Sequence, residues 1–325
     1  MSRPRALVTA PLRGPGFAKL RQLADVVYDP WIEQAPLRIY SAEQLADRIA
    51  REAADVVVVE SDSVAGPVFE LGLRVIASTR GDPNNVDIAG ATAAGIPVLN
   101  APGRNADAVA EMTVALLLAA TRQLLPADSD VRSGNIFRDG SIPYQRFRGP
   151  EIAGLTAGLV GLGAVGRATR WRLSGLGLTV IAHDPYNDEA RHSLEELLAE
   201  ADIVSLHAAV TDDTAGMIGA GELAAMRDGV VFLNTARAQL HDTEALVDAL
   251  RSGKVAAAGL DHFVGEWLPT DHPLVGMPNV VLTPHIGGAT WNTEARQAQM
   301  VADDLAALLT GNRPAHIVNP EVLDS

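Results

Sequence analysis

The chain of 325 residues has no cysteine and only two lysines, Lys19 and Lys254. Without cysteine there is no disulfide, no thiolate nucleophile and no cysteine-held metal cluster, and a reducing cytoplasm suits such a chain. With two lysines, Schiff-base catalysis has almost nothing to work with. Positive charge is short overall: 26 Lys and Arg stand against 40 Asp and Glu, for a formal net charge of −14. A nucleic-acid partner or an anionic membrane is therefore not expected, because both select a positive face. The scattered arginines still allow a local basic cleft. Long apolar runs are also missing. The N-terminal stretch "MSRPRALVTAPLRG" lacks the core of a signal peptide, and "VALLLAA" at 114–120 is far too short to span a bilayer. A soluble, cytoplasmic protein is expected.

What is present is apolar and regularly spaced. Hydrophobic residues make up 47% and charged residues 20% of the chain, enough for real cores, and the length suggests two domains. Short β-branched runs alternate with Ala/Leu-rich amphipathic stretches. Strands are expected at 6–10, 55–61, 73–79 and 96–100, and a second series at 156–163, 178–184, 202–208, 229–235, 255–261 and 279–285. Runs without polar alternation read as strands buried on both faces, and strand–helix alternation as a parallel sheet wound on both sides. The expected fold is α/β, with two Rossmann-like doubly wound domains. The junction, 100–124, is expected to hold a long helix capped by Asn105 or Asp107 and apolar nearly all round, so buried or pressed against a second subunit. Residues 126–150 read as an irregular arm, and a last helix over roughly 291–310 ends near Gly311. No appended regulatory domain is expected.

Gly161-Leu162-Gly163-Ala164-Val165-Gly166 fits G-x-G-x-x-G, with a buried strand before it and a helix opening at about Ala164. Gly161 suits the tight turn, Gly163 the approach of backbone to a pyrophosphate, and Gly166 the packing of helix on strand. The helix N-terminus offers unpaired N–H groups to phosphate. Asp184 follows Gly166 by eighteen residues, at the end of the next strand. There it can accept hydrogen bonds from both ribose hydroxyls and repel a 2′-phosphate, which favours NAD over NADP; alternatively it caps a turn before Pro185.

Three later strand ends carry polar residues: Arg237 after "VVFLNTA", Asp261 and Glu266 in "AAAGLDHFVGE", and His285 after "VVLTP". In a doubly wound sheet all strand C-termini open on one edge, so Arg237, Glu266 and His285 can converge. An arginine can hold a carboxylate with two parallel hydrogen bonds. A histidine can exchange a hydroxyl proton, and a carboxylate beside it fixes its tautomer. Each residue alone is more often a surface charge or a turn residue.

The motifs "GRNADAVAE", "GLVGLGAVGRATRWRLSGLGLTVIAHDPY", "LNTAR", "GLDHFVGEWLPTDHPL" and "TPHIGGAT", in that order, resemble the D-isomer-specific 2-hydroxyacid dehydrogenases, whose members act on substrates such as D-3-phosphoglycerate, D-lactate and glyoxylate or hydroxypyruvate. The resemblance spans nearly the whole chain. It implies an NAD-dependent dehydrogenase of D-2-hydroxy acids, in which Arg237 orients the substrate, Glu266 pairs with His285, and His285 is the general acid/base. It implies a substrate domain of residues 1–101 plus 291–325, flavodoxin-like, a coenzyme domain of 102–290, and a cleft between them. By position, Ala164 and Val165 face the pyrophosphate and Asp184 the ribose, with His207 and Ala208 on the adenine side. Thr235, Ala236 and Arg237 border the nicotinamide riboside, Asp261 holds the carboxamide, and His285, Gly287 and Gly288 lie beside it. Arg80, Gly81 and Asp82 match the loop that receives the substrate carboxylate. Arg80 could meet a phosphate and Glu60 a substrate hydroxyl, as in phosphoglycerate or a sugar acid. No metal site is assigned. A homodimer through the 104–124 helix is implied.

Two departures stand out. Ala208-Ala209 replace a usual proline, and Trp267 occupies another. Glu266, where formate dehydrogenases have glutamine, argues against formate. The rival reading is a non-catalytic NAD-sensing binding protein, such as a corepressor of the same fold.

Overall fold

The computed structural model describes residues 3–324. The chain divides into two units. One runs to Arg104 and resumes from Thr290; the other is Asn105–Ala289.

The first unit is built on five parallel strands, β1 (Arg5–Val8), β2 (Asp25–Tyr28), β3 (Val56–Val59), β4 (Val75–Ser78) and β5 (Val98–Leu99), in the order β2-β1-β3-β4-β5. Side chains alternate between two apolar layers, as the period of two in a strand requires. Ala6, Val8, Val56 and Val58 enter one layer with Leu20, Val301 and Leu305, whereas Leu7, Val57 and Val59 enter the other with Leu45 and Ile49. Both faces are thus covered, which is why "VVVV" shows no polar alternation. The covering helices are locally well specified. Helix Ala42–Glu52 carries a capping box between Ser41 and Gln44, a device that satisfies two unpaired N–H groups reciprocally. Helix Gly14–Leu23 lies against helix Trp291–Leu309. A Cβ on Gly16 would come within 2.2 Å of the Gln299 backbone, so only glycine allows that approach.

The second unit has six parallel strands: β6 (Thr156–Val160), β7 (Thr179–His183), β8 (Ile203–Leu206), β9 (Val230–Asn234), β10 (Val255–Leu260) and β11 (Val280–Leu282). Their order is β11-β10-β9-β8-β6-β7. Again alternate residues separate, with Phe232 and Leu260 on one face and Leu159, Val231 and Leu233 on the other. Helix Ala106–Thr121 covers the latter face through Leu116, Leu117 and Ala120. In both sheets the first strand lies between the second and third, so each has its switch point beside its first strand, where open α/β sheets bind ligands.

Several expectations need correction. Strand β2 lies outside the expected series: "DVVY" is a four-residue edge strand, at most half-buried, and lacks a long apolar run. The 126–150 arm is partly helical, with helices Leu124–Arg132 and Pro143–Arg146, held where Arg146 and Arg138 meet the buried Asp130. Asn105 stands at the N-cap of the long helix, but its side chain makes no cap bond, and Asp107 pairs with Arg172 at 3.0 Å instead. The last helix, Trp291–Leu309, stops as expected near Gly311, whose φ is +76°. Among the described residues no single helix is long and apolar enough to cross a membrane.

Candidate active site

The glycine loop closes the switch point of the second sheet. Strand β6 ends at Val160, and Gly161 turns with φ +98°, its N–H bonded to the His183 carbonyl at 2.8 Å. A Cβ there would sit 2.6 Å from the Ala208 nitrogen, so the loop and the segment after β8 can pass only at glycine. Gly166 is equally constrained, since its Cβ would lie 2.2 Å from the Gly161 oxygen. Gly163 differs. It is the N-cap of helix Ala164–Gly175, has no side chain to cap the helix, and faces open space. The first-turn N–H groups of Ala164, Val165 and Gly166 therefore meet no capping side chain, which is the arrangement that binds a pyrophosphate. Asp184 accepts Leu162 N–H at 2.8 Å and Tyr186 N–H at 2.9 Å. It thus caps its own turn and steadies the glycine loop, with lone pairs left over for hydroxyl donors. His207 bonds Ser205 at 3.0 Å, and burial pushes its imidazole down to about 4, so it is neutral.

At the other end of the same edge, β9, β10 and β11 are neighbours and finish together. After β9, buried Asn234 accepts Ala236 N–H at 2.9 Å and donates to the Arg237 carbonyl at 2.8 Å. This small web sets the turn from which the exposed Arg237 projects. Thr235 is pinned by Thr113 at 2.8 Å. After β10 come Asp261 and a short turn ending at Glu266; after β11 come Thr283, Pro284 and His285. His285 Nδ1 lies 3.0 Å from Glu266 Oε1. Both residues hold left-handed backbones, φ 54° and 55°. Non-glycine residues rarely adopt that conformation outside functional or tightly constrained sites.

Asp261 explains how the His285 turn is held. It is 1% exposed and accepts Thr283 Oγ1 at 2.6 Å, Ile286 N–H at 3.0 Å and Gly287 N–H at 2.7 Å. Three acceptor positions thus organise the turn, leaving one for another donor. A Cβ on Gly287 would come within 2.9 Å of that carboxylate, and one on Gly288 within 2.9 Å of the Asn105 side chain.

Sequence reasoning missed His262. Its ring is 4% exposed and lies 3.8 Å, centroid to centroid, from His285. Burial, then the nearby His285 and Arg237, push it down to about 4. The signal was available in "GLDHF", but a histidine inside an apolar run reads as core. Asn234, at the end of the apolar run "VVFLN", was missed for the same reason; its partner His241, at 2.9 Å, lies in the polar stretch "AQLHDTE".

Arg80, Gly81 and Asp82 belong to the first unit, at the end of β4. Arg80 donates from Nε to the Glu60 carbonyl at 2.7 Å and from Nη1 to Asn84. Glu60 is 9% exposed, pairs with Arg104 and accepts Trp31 Nε1 at 3.3 Å. Arg13 is bound to Glu294.

A glycine loop at the switch point of a parallel sheet, with an imidazole–carboxylate pair farther along the same edge, belongs to the dinucleotide-dependent α/β oxidoreductases. Similarity to known proteins narrows the class. Residues 114–287 match the NAD-binding domain of D-isomer specific 2-hydroxyacid dehydrogenases. A glyoxylate reductase of Thermofilum pendens is 38% identical over 99% of this chain and 96% of its own. A D-3-phosphoglycerate dehydrogenase of Mycobacterium leprae is 38% identical over 92% of this chain and 58% of its own. The solved structure of the TT0316 protein from Thermus thermophilus superposes with a TM-score of 0.83 at 37% identity, covering 97% of this chain and 99% of that one. The chain belongs to the D-isomer specific 2-hydroxyacid dehydrogenase family and is an NAD(P)-dependent oxidoreductase.

Proposed function

We propose that this enzyme interconverts a short 2-oxo acid and its D-2-hydroxy acid, with NAD(H) as the preferred cofactor. The observation that carries the reading is the His285–Glu266 pair at 3.0 Å, on the same strand-end edge as Arg237. When bound, the nicotinamide supplies or accepts the hydride at the substrate C2. His285 Nε2 gives a proton to the carbonyl oxygen in reduction and takes it from the hydroxyl in oxidation. Glu266, on Nδ1, fixes the tautomer and stabilises the imidazolium. Arg237 holds the substrate carboxylate and polarises the adjacent carbonyl. Asp261 keeps the His285 turn in place and has one acceptor position for the carboxamide. Thr235, Ala236, Gly287 and Gly288 complete the nicotinamide side, and His207 with Ala208 the adenine side. The N–H groups of Ala164 and Val165 meet the pyrophosphate. Asp184 accepts ribose hydroxyls and opposes a 2′-phosphate, which supports NAD over NADP. The assignment of Arg80, Gly81 and Asp82 to the substrate carboxylate rests on the resemblance alone.

The reading favours small, unphosphorylated acids of the glyoxylate and hydroxypyruvate type, supported by the match to a glyoxylate reductase over 99% of this chain; 3-phosphoglycerate is the second reading, supported by the match to a D-3-phosphoglycerate dehydrogenase. We further infer a cytoplasmic homodimer formed through helix Ala106–Thr121, where Glu111, Val114, Trp171, Arg172 and Leu176 line an open, mostly apolar pocket and Trp171 is 74% exposed; light scattering tests it.

The deciding experiment is a panel of glyoxylate, hydroxypyruvate, pyruvate and 3-phosphohydroxypyruvate with NADH and with NADPH. Turnover of the small acids with NADH is expected. Preference for the phosphorylated acid or for NADPH would overturn those parts, and tight NADH binding with no turnover at all would support the binding-protein rival.

A further inference from the structure

The proton-transfer reading leaves His262 without a task, and its surroundings are unusual. Its Nδ1 is buried and has no hydrogen-bond partner. The ring's bond to the Thr235 backbone must therefore come from Nε2, and a backbone carbonyl accepts only from N–H. That leaves a lone pair on Nδ1, with Glu266 Oε1 3.9 Å away. Two acceptors thus stand close together without a donor from either. The same carboxylate oxygen lies 3.0 Å from His285 Nδ1.

We propose that His262, Glu266 and His285 form a binding site for a divalent transition-metal ion of the zinc class. One ligand atom from each residue lies within 4.8 Å of the others. A tetrahedral zinc with bonds of about 2.0–2.1 Å needs its ligand atoms roughly 3.3 Å apart, so small side-chain movements close the site. A cation there resolves the acceptor–acceptor contact. The Thr235 bond already does for His262 what backbone carbonyls do for metal-bound imidazoles: it fixes the tautomer and the ring plane. Two nitrogens and one oxygen suit zinc, copper or cobalt rather than magnesium or calcium, which prefer all-oxygen sites. The Glu266 and His285 side chains are 57% and 44% exposed, so an ion can enter from solvent and keep water as its fourth ligand. Nearby Arg237 opposes the charge and weakens the site.

Occupancy detaches His285 from Glu266 and ties up its Nδ1. If His285 is the acid/base, as proposed above, the ion is an inhibitor. The test uses the full-length protein. Cobalt(II) titration is expected to give the visible absorption of a low-symmetry nitrogen/oxygen site, and zinc titration calorimetry a one-to-one stoichiometry. His262→Gln, with folding checked by circular dichroism and NADH binding, is expected to weaken zinc at least about tenfold and to relieve zinc inhibition by the same factor. Glu266→Gln is the second variant and is read by binding alone. Unchanged zinc affinity in both variants overturns the site. Zinc binding that depends on His262 but leaves turnover untouched keeps the site and sinks the acid/base role of His285.

Discussion

Two histidine–carboxylate pairs in this molecule have nearly the same contact and opposite surroundings. In the first unit, His316 Nδ1 meets Asp304 Oδ2 at 2.8 Å; in the second, His285 Nδ1 meets Glu266 Oε1 at 3.0 Å. Asp304 is 2% exposed and also accepts the Ala315 N–H at 2.7 Å, tying the segment after helix Trp291–Leu309 back onto it. Glu266 is open to solvent, and both members of its pair sit on left-handed backbones at strand ends. The first pair uses its polarity to hold chain to chain. The second carries backbone strain, about 1 kcal/mol or more per residue, and presents an imidazole side chain that is 44% exposed. The contact alone does not distinguish a tie from the acid/base proposed for His285; the surroundings of the second pair support that proposal.

The largest effect that can break this contrast is on turnover. His285→Asn tolerates the left-handed backbone and removes the imidazole, so kcat should fall by about 10²–10⁴ while NADH still binds and the melting temperature barely moves. Steady-state kinetics with fluorescence titration checks this, and full turnover would place His285 beside His316 as structural. Next, Asp304→Ala removes the buried acceptor of the Ala315 N–H and the His316 ring and should cost about 1–2 kcal/mol of stability with kcat unchanged per folded molecule, read by urea unfolding. An intact unfolding midpoint would mean the pair is not a tie.

Histidines without a carboxylate partner sharpen the comparison through pH. Burial pushes His241 down to about 4, against the opposing pull of Asp242. Between its ordinary value of about 6.5 and about 4, the unfolded chain binds the proton and the folded chain does not. Stability therefore falls as pH drops through that window and levels off below it, by up to about 1.4 kcal/mol per pH unit. His241→Gln should lower the slope in unfolding curves taken across that window by its own one-proton share, with His207 and His262 keeping theirs; an unchanged slope would mean the ring is protonated in the fold. Smallest of all, His316→Asn should cost under about 1 kcal/mol, because the ring is 33% exposed, and should leave kcat alone.

Much of this was legible in the chain. The glycine spacing around 161–166, the unbroken apolar runs and the polar residues at three strand ends report the backbone's own requirements. Gly161 and Gly166 are required by contacts a Cβ would forbid, and buried parallel strands leave no polar alternation to read. What stayed hidden was either marginal or long-range. β2 is a short edge strand, and the 126–150 helices depend on arginines closing over Asp130. The Asn234 web and His262 sit inside apolar runs, where sequence cannot tell a packed residue from a polar one with a distant partner.

The sequence by itself determined the class: a doubly wound parallel architecture, a phosphate loop and its acid, because these follow from local periodicity and glycine geometry. The tertiary structure alone decided which of eight histidines meets which carboxylate. His285 and Glu266 are nineteen residues apart, and only the pairing of β10 with β11, together with the three donors that Asp261 collects, brings their side chains into contact.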